Sequence, residues 1–120
     1  MEDRKYEAIC RLLEVTGVPG LFVDLVDGLV EGERISHPEL DEDFWRGLRD
    51  SIRYEDFLGD LAYIYDRNYT LDDVLRLTEF FVSNVGRKYL ETSKDVTVRI
   101  MVLEKRLSER IRVMVQEKRP

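Results

Sequence analysis

The sequence is poor in the residues that form disulfides and many catalytic sites, with one cysteine and one histidine among 120 residues. Since Cys10 has no second cysteine to pair with, an internal disulfide is excluded. A cysteine nucleophile needs a partner base, and only His37 is available, with nothing in the sequence to bring the two together. We therefore expect Cys10 to be a buried or half-buried thiol on a helix.

The chain also lacks the long apolar stretch of about 20 residues that a membrane-spanning helix requires. No charged and then apolar signal peptide opens the sequence. Two locations remain open on this ground. The protein is cytoplasmic, or it is periplasmic or exported and a signal peptide has been removed.

Sites for cofactors, metals and catalysis are not predicted. Gly17 and Gly20 lack the spacing of a phosphate-binding loop. The acidic residues after His37 lack EF-hand spacing, and carboxylates are common in the first turn of any helix. Neighbouring carboxylates such as Asp72 and Asp73 point to different sides of a helix, so they do not form a general acid–base pair. We predict no catalytic residue, no cofactor and no specific metal.

Charge is distributed unevenly along the chain. The net charge of −6 combines an excess of ten negative charges in residues 1–93 with an excess of four positive charges in residues 94–120. The basic residues of the last segment surround a helix and are interrupted by glutamates, so we do not expect nucleic acid as a partner. The segment either contacts an anionic partner or docks on the acidic remainder of its own domain, and the sequence favours docking.

Apolar residues recur at helical spacing throughout, which predicts an all-α fold: a compact single-domain bundle, residues 1–120, of five to six helices. We expect Gly17 to end the first helix, Pro19 and Gly20 to form a tight turn, and a break at Arg53 and Tyr54. The first two predicted helices are residues 3–16 and residues 21–30, and the inward residues of the second are Leu21, Phe22, Leu25, Val26 and Leu29. A third helix starts at Pro38, with Ser36 or His37 as its cap, and a fourth follows the break. A central helix at about 71–90 and a closing helix at about 94–117 complete the prediction.

The central helix organises this prediction. Thr70 followed by Asp73 is typical of an acidic capping box at a helix N-terminus. Behind the cap, apolar residues from Val74 to Tyr89 recur at steps of three and four. Further on, Gly86 indicates either close packing against another helix or a local break, because a glycine inside a helix costs about 1 kcal/mol relative to alanine.

The closing helix carries a similar apolar stripe, so we expect it to pack on the rest of the domain. Aromatic residues are frequent before and within the central helix, and core packing explains most of them. They also form the candidate for a ligand or partner groove: Tyr54, Tyr63, Tyr65, Tyr69, Phe80 and Phe81.

The segment LAYIYDRNYTLDDVLRLTEFFVSNVGRKYLE resembles the bacterial family called domain of unknown function 2059. The matching features are an aromatic approach ending in tyrosine, a threonine-capped acidic helix start, and a Phe-aromatic-x-Ser pattern followed by glycine and two basic residues. They fall on Tyr65, Thr70, Asp73, Phe80, Phe81, Ser83, Gly86, Arg87 and Lys88.

The N-terminal stretch with Leu12, Leu13, Thr16 and Gly17 is also similar to the start of that family. One position departs from its pattern: the family usually has proline after the serine, and this chain has Asn84, so a helix break there stays open. The resemblance implies a small helical protein, usually exported to the bacterial envelope, and it implies no reaction.

Together these observations predict a non-catalytic helical binding or protein-interaction module of the bacterial envelope, with a protein partner or self-association. An alternative is a carrier of a small apolar ligand or peptide in a groove between helices. A hydrolytic enzyme is the third possibility.

Overall fold

The computed structural model describes residues 1–119 and shows an all-α protein, with six helices in the described chain. The helices are α1 (Asp3–Val15), α2 (Val18–Ser36), α3 (Glu42–Ser51), α4 (Tyr54–Asn68), α5 (Leu71–Val82) and α6 (Asn84–Glu117). They separate into two compact units, Met1–Val82 and the chain from Ser83 onward.

The core of the first unit is built around α1, which packs against α2, α4 and α5. Ile9, Leu12 and Leu13 of α1 are at most 2% exposed and lie with Ala62 of α4 and Val74 of α5. These three residues form the inward face of α1. The helix at the centre of the unit is α1, not the helix after Thr70 as predicted.

The connection between α1 and α2 is shorter than expected. Gly17 follows α1 with φ of 82°, a left-handed conformation that glycine adopts without steric cost. The predicted tight turn at Pro19 and Gly20 is wrong, because α2 already begins at Val18. Proline is tolerated in a first helical turn, where its missing N–H has no intrahelical partner anyway.

Helix α2 also continues past the predicted end at Val30. The segment between the second and third predicted helices, residues 31–37, is helical up to Ser36. The third helix begins at Glu42 and not at Pro38, and its N-cap is Asp41, whose carboxylate accepts a hydrogen bond from the Phe44 amide over 2.9 Å. The predicted caps at Ser36 and His37 are therefore wrong.

The predicted break between the third and fourth helices is confirmed. Ile52 and Arg53 are extended, and α4 begins at Tyr54. An ion pair ties this helix to α1: Lys5 Nζ lies 2.8 Å from Asp66 Oδ1 and donates to the Asp66 carbonyl oxygen over 3.0 Å.

The helix predicted at 71–90 is two helices. Helix α5 ends at Val82, and α6 begins at Asn84 with Ser83 as its N-cap. The boundary predicted between residues 90 and 94 is wrong, because α6 continues through Thr92 and Ser93. Their hydroxyls donate to carbonyls within the helix, from Thr92 to Lys88 and from Ser93 to Leu90.

Helix α6 forms the second unit. Its 34 residues span about 51 Å at 1.5 Å per residue. Every described residue from Lys94 onward is exposed, including the apolar residues that we expected to be buried. The burial predicted for these side chains is therefore wrong.

Candidate functional site

The aromatic residues predicted to line a groove lie in different surroundings within the first unit. Tyr54 packs against Phe22 of α2, with ring centroids 5.4 Å apart, and Phe22 also contacts Phe57. Burial, followed by the influence of Cys10, raises the pKa of the Tyr54 hydroxyl. Cys10 itself is half-buried, as expected. This cluster fills the contact between helices.

Tyr65 and Phe81 pack against the buried core, and burial raises the pKa of Tyr65. The Tyr65 ring lies 5.6 Å from the Tyr69 ring. Tyr69 and Phe80 are 40% and 42% exposed. Tyr63 is also exposed; its hydroxyl accepts from Arg67, whose guanidinium lies 5.7 Å from the tyrosine ring centroid.

A shallow depression of about 450 Å³ adjoins this region. Its lining includes one predicted groove residue, Tyr69, next to Asp73, Arg76 and Leu77. Tyr54, Tyr65 and Phe81 are instead held against neighbouring helices. The predicted set is therefore spread between the core and the surface, and its role as a groove stays a prediction.

Four of the residues that carry the family resemblance, Thr70, Asp73, Ser83 and Gly86, form a predicted structural motif and lie at the starts of two consecutive helices. The Thr70 amide donates to Asp73 Oδ2 over 2.9 Å, and the Asp73 amide donates to Thr70 Oγ1 over 3.1 Å. These bonds with Thr70, first that from its backbone, lower the pKa of Asp73. At the next helix, Ser83 Oγ accepts from the Gly86 amide over 3.1 Å, and Gly86 is buried. The helix break that was left open at Asn84 is therefore present, and Ser83 caps α6 although no proline follows it.

The α6 stripe is an apolar face of the last helix that was predicted to be buried and is exposed. We give this name to six apolar residues on one side of the helix, which are 48–60% exposed. Their steps of four, three, four, four and three follow the helical period, so they form one continuous face. The α6 stripe consists of Val96, Ile100, Leu103, Leu107, Ile111 and Met114.

Basic side chains border the α6 stripe on one side. At about 100° per residue, Arg99, Arg106 and Arg110 project next to the apolar face on the same flank. Arg99 also pairs with Asp95 one turn earlier, at 2.9 Å and in an exposed position. Such an exposed pair is weak, so it leaves the arginine available to other carboxylates.

A polar cleft of about 300 Å³ between α2 and α3 was not predicted. Its walls hold two ion pairs, Arg34 with Glu42 and Arg49 with Asp27. Trp45, which is 5% exposed, lies at its edge, and its buried Nε1 has no hydrogen-bond partner in the described structure. The apolar periodicity of α3 in the sequence indicates that Trp45 faces inward. It does not indicate the cleft between α2 and α3.

Residues 1–119 contain neither a metal-binding cluster nor a helix that could span a membrane. Among residues 1–119, no group of three or more His, Cys, Asp or Glu side chains is arranged to hold a metal ion. His37 lies between two carboxylates, 3.1 Å from Glu39 Oε1 and 3.6 Å from Glu33 Oε2. Within the same range, none of the helices combines the length and the apolar character needed to cross a bilayer.

Comparison with known proteins gives one family. Comparisons with curated proteins and with solved structures each gave no match. Residues 55–111, which cover nearly all of α4, all of α5 and most of α6, match the model of a family described as an uncharacterized protein conserved in bacteria (DUF2059). The resemblance predicted from the capping box and the Ser83–Gly86 motif is thereby confirmed over this stretch, which also contains most of the α6 stripe.

Proposed function

We propose that this protein is a non-catalytic interaction module of the bacterial envelope, and that the α6 stripe is the surface with which it binds a protein partner. The observation that carries this proposal is the exposure of six large apolar side chains along one face of a single helix. Soluble proteins rarely leave a continuous apolar surface of this kind uncovered, and such surfaces mark interaction sites.

The form of the surface favours a protein over a small ligand. The stripe is straight, runs along one helix, and is bordered by arginines, which suits a helix laid against it. A small apolar ligand instead needs a concave site that buries most of its surface. The depressions along α6 are shallow and lined by residues of that helix alone.

Three groups with shifted pKa values have causes for their shifts other than catalysis, so this proposal includes no catalytic step. The shifted pKa values of Tyr54 and Tyr65 result first from packing in the helical core, and that of Asp73 from helix capping. Catalytic acids and bases are typically shifted by a cleft together with a specific charged partner. The shifts of these three groups are therefore explained by folding roles.

Site-specific photo-crosslinking in the native bacterium tests the proposal. A photoreactive amino acid at Leu107 is in the α6 stripe, whereas the same amino acid at Lys105 lies on the opposite side of the same helix and is the matched control. We expect a discrete protein adduct from position 107 that is absent from position 105. No adduct at 107, or the same adducts at both positions, would contradict the proposal.

The envelope location is part of the proposal and rests on the family resemblance. Fractionation of the same cells checks it independently, since an exported protein is released with the periplasmic or membrane fraction. Recovery of the full-length native gene product only with cytoplasmic markers would contradict the location but leave the interaction surface untouched.

A further inference from the structure

A second exposed apolar face lies on α2. Leu21, Leu25 and Leu29 recur at steps of four, are 63%, 53% and 63% exposed, and form what we call the α2 stripe. They were predicted to face inward, and that prediction is wrong. Phe22 and Val26 occupy the inward side of α2 instead.

The α2 stripe is open to a close neighbour. Gly28 and Gly32 lie along the same side of the helix, and a Cβ placed on either would have nothing within 4 Å. The helix is about 28 Å long, at 1.5 Å for each of its 19 residues, so it matches roughly the length of the α6 stripe. A helix laid along α2 would therefore meet apolar side chains and little steric obstruction.

The two helices that carry the stripes have opposite net charge. Helix α2 carries four acidic residues and one arginine, whereas α6 carries five acidic and eight basic residues. Asp24 and Glu31 are exposed and border the α2 stripe on one flank, as Arg99 and Arg106 border the α6 stripe. At about 100° per residue, both charged flanks lie on the same rotational side of their stripes, as seen from each helix N-terminus.

This arrangement fixes the relative direction of the helices. When two helices face each other through their stripes, flanks on the same rotational side meet only if the helices run antiparallel. Two antiparallel copies of α6 would then place arginines against arginines, which disfavours that pairing. An antiparallel α2 and α6 instead place carboxylates against guanidinium groups.

The spacing also defines a register. Asp24 and Glu31 are separated by seven residues, as are Arg99 and Arg106, so Asp24 faces Arg106 where Glu31 faces Arg99. The apolar residues then interdigitate without further adjustment. Leu21 lies between Leu107 and Ile111, Leu25 between Leu103 and Leu107, and Leu29 between Ile100 and Leu103.

We propose that the partner of the α6 stripe is the α2 stripe of a second copy of this chain, bound antiparallel in this register. The inference rests on the proposed function and specifies its partner. Each copy supplies one apolar stripe with an acidic flank and one with a basic flank, so the proposed pairing of two copies is reciprocal. Burial of the leucines provides the affinity, and the charges select the partner and its direction.

Two charge-reversal variants test this by sedimentation velocity of the full chain. Variant A carries Arg99→Glu and Arg106→Glu, and variant B carries Asp24→Arg and Glu31→Arg. We expect the wild type to be a dimer and each variant alone to have a dimer Kd raised by about tenfold or more. A mixture of A and B should regain the wild-type dimer, because both reciprocal contacts then join opposite charges.

Lys105→Glu, on the opposite side of α6, is the matched control and should leave the dimer unchanged. Circular dichroism confirms that each variant retains its helices. The proposal is overturned if the wild type sediments as a monomer, if variant B alone dimerises as the wild type does, or if A and B fail to restore the dimer on mixing. If α6 docked on α2 within one chain, the wild type would sediment as a monomer. If α6 paired with α6 of a second copy, variant B alone would still dimerise.

The photo-crosslink separates this inference from the proposed function. An adduct at position 107 with the mass of two copies supports both. An adduct with a different protein would support the proposed function but contradict a second copy as the partner. If no specific adduct forms and the protein still dimerises in solution with the expected response to charge reversal, the α2–α6 pairing is supported. The proposed function in the cell is then contradicted.

Discussion

Thr70 and Asp73 exchange two hydrogen bonds at the start of α5, each donating its backbone amide to the side chain of the other. The exchange satisfies amide groups that have no partner within the helix. Val74, the next residue, is fully buried in the core with Ile9 and Leu13. The cap therefore fixes the point at which the chain enters the core.

The Thr70 hydroxyl should contribute measurably to the free energy of unfolding. We expect Thr70→Ala to lower it by about 1 kcal/mol, the usual cost of losing an N-cap. Thr70→Asp should lower it much less, because aspartate accepts the same hydrogen bond. Denaturant titration of the two variants checks this, and equal losses would indicate that the threonine methyl group, not the hydroxyl, is responsible.

Asp73 should make stability depend on acidic pH. Its pKa is lowered from the ordinary value of 3.8, first by the hydrogen bond from the Thr70 backbone. A carboxyl with a lowered folded-state pKa stabilises the fold above its unfolded-state pKa, and this contribution is lost as the pH falls through the folded-state pKa. Unfolding titrations of wild type and Asp73→Asn should therefore differ at neutral pH and converge in acid. A difference that stays constant down to pH values below the lowered pKa would contradict the assignment.

The helix starts show what the sequence reveals well. The Thr70 cap was predictable because threonine followed three residues later by an acidic side chain is a local signal, and both hydrogen bonds involve near neighbours. The Ser83 cap was missed because the apolar pattern continues across it toward Val85 and Tyr89. Both of these residues are exposed, so the pattern there does not report burial.

The direction in which α2 faces was not predictable from periodicity. Phe22 and Val26 lie on one side and Leu21, Leu25 and Leu29 on another, so both sides of the helix are apolar. Which of them is buried depends on where α1 and α3 pack, and that is tertiary information. The same limit applies to α6, whose stripe has the spacing of a buried face but is exposed. For this reason the candidate surface emerged only from the structure.

Truncating a core leucine and an exposed leucine should have contrasting effects. Leu13 is fully buried against α4 and α5, so Leu13→Ala should lower the free energy of unfolding by about 2–5 kcal/mol. Leu103 is 60% exposed, so Leu103→Ala should change it by no more than about 0.5 kcal/mol in the monomer. Chemical denaturation at low protein concentration, where a dimer dissociates, makes the comparison. A large loss in the Leu103 variant under these conditions would show that the α6 stripe is buried within the single chain.

Deletion of residues 95–120 should leave the first unit folded. Its core, formed by Ile9, Leu12, Leu13, Ala62 and Val74, lies entirely within residues 1–82. Every described residue from Lys94 onward is exposed, so the deletion removes no buried side chain among them. We expect the shortened chain to melt cooperatively near the midpoint of the monomeric full-length protein, and to have lost the dimer. Thermal unfolding followed by circular dichroism, with sedimentation of the same samples, measures both properties. A molten or aggregating product would mean that α6 stabilises the domain in which it occurs, and its apolar stripe would then be a folding element and not a binding surface.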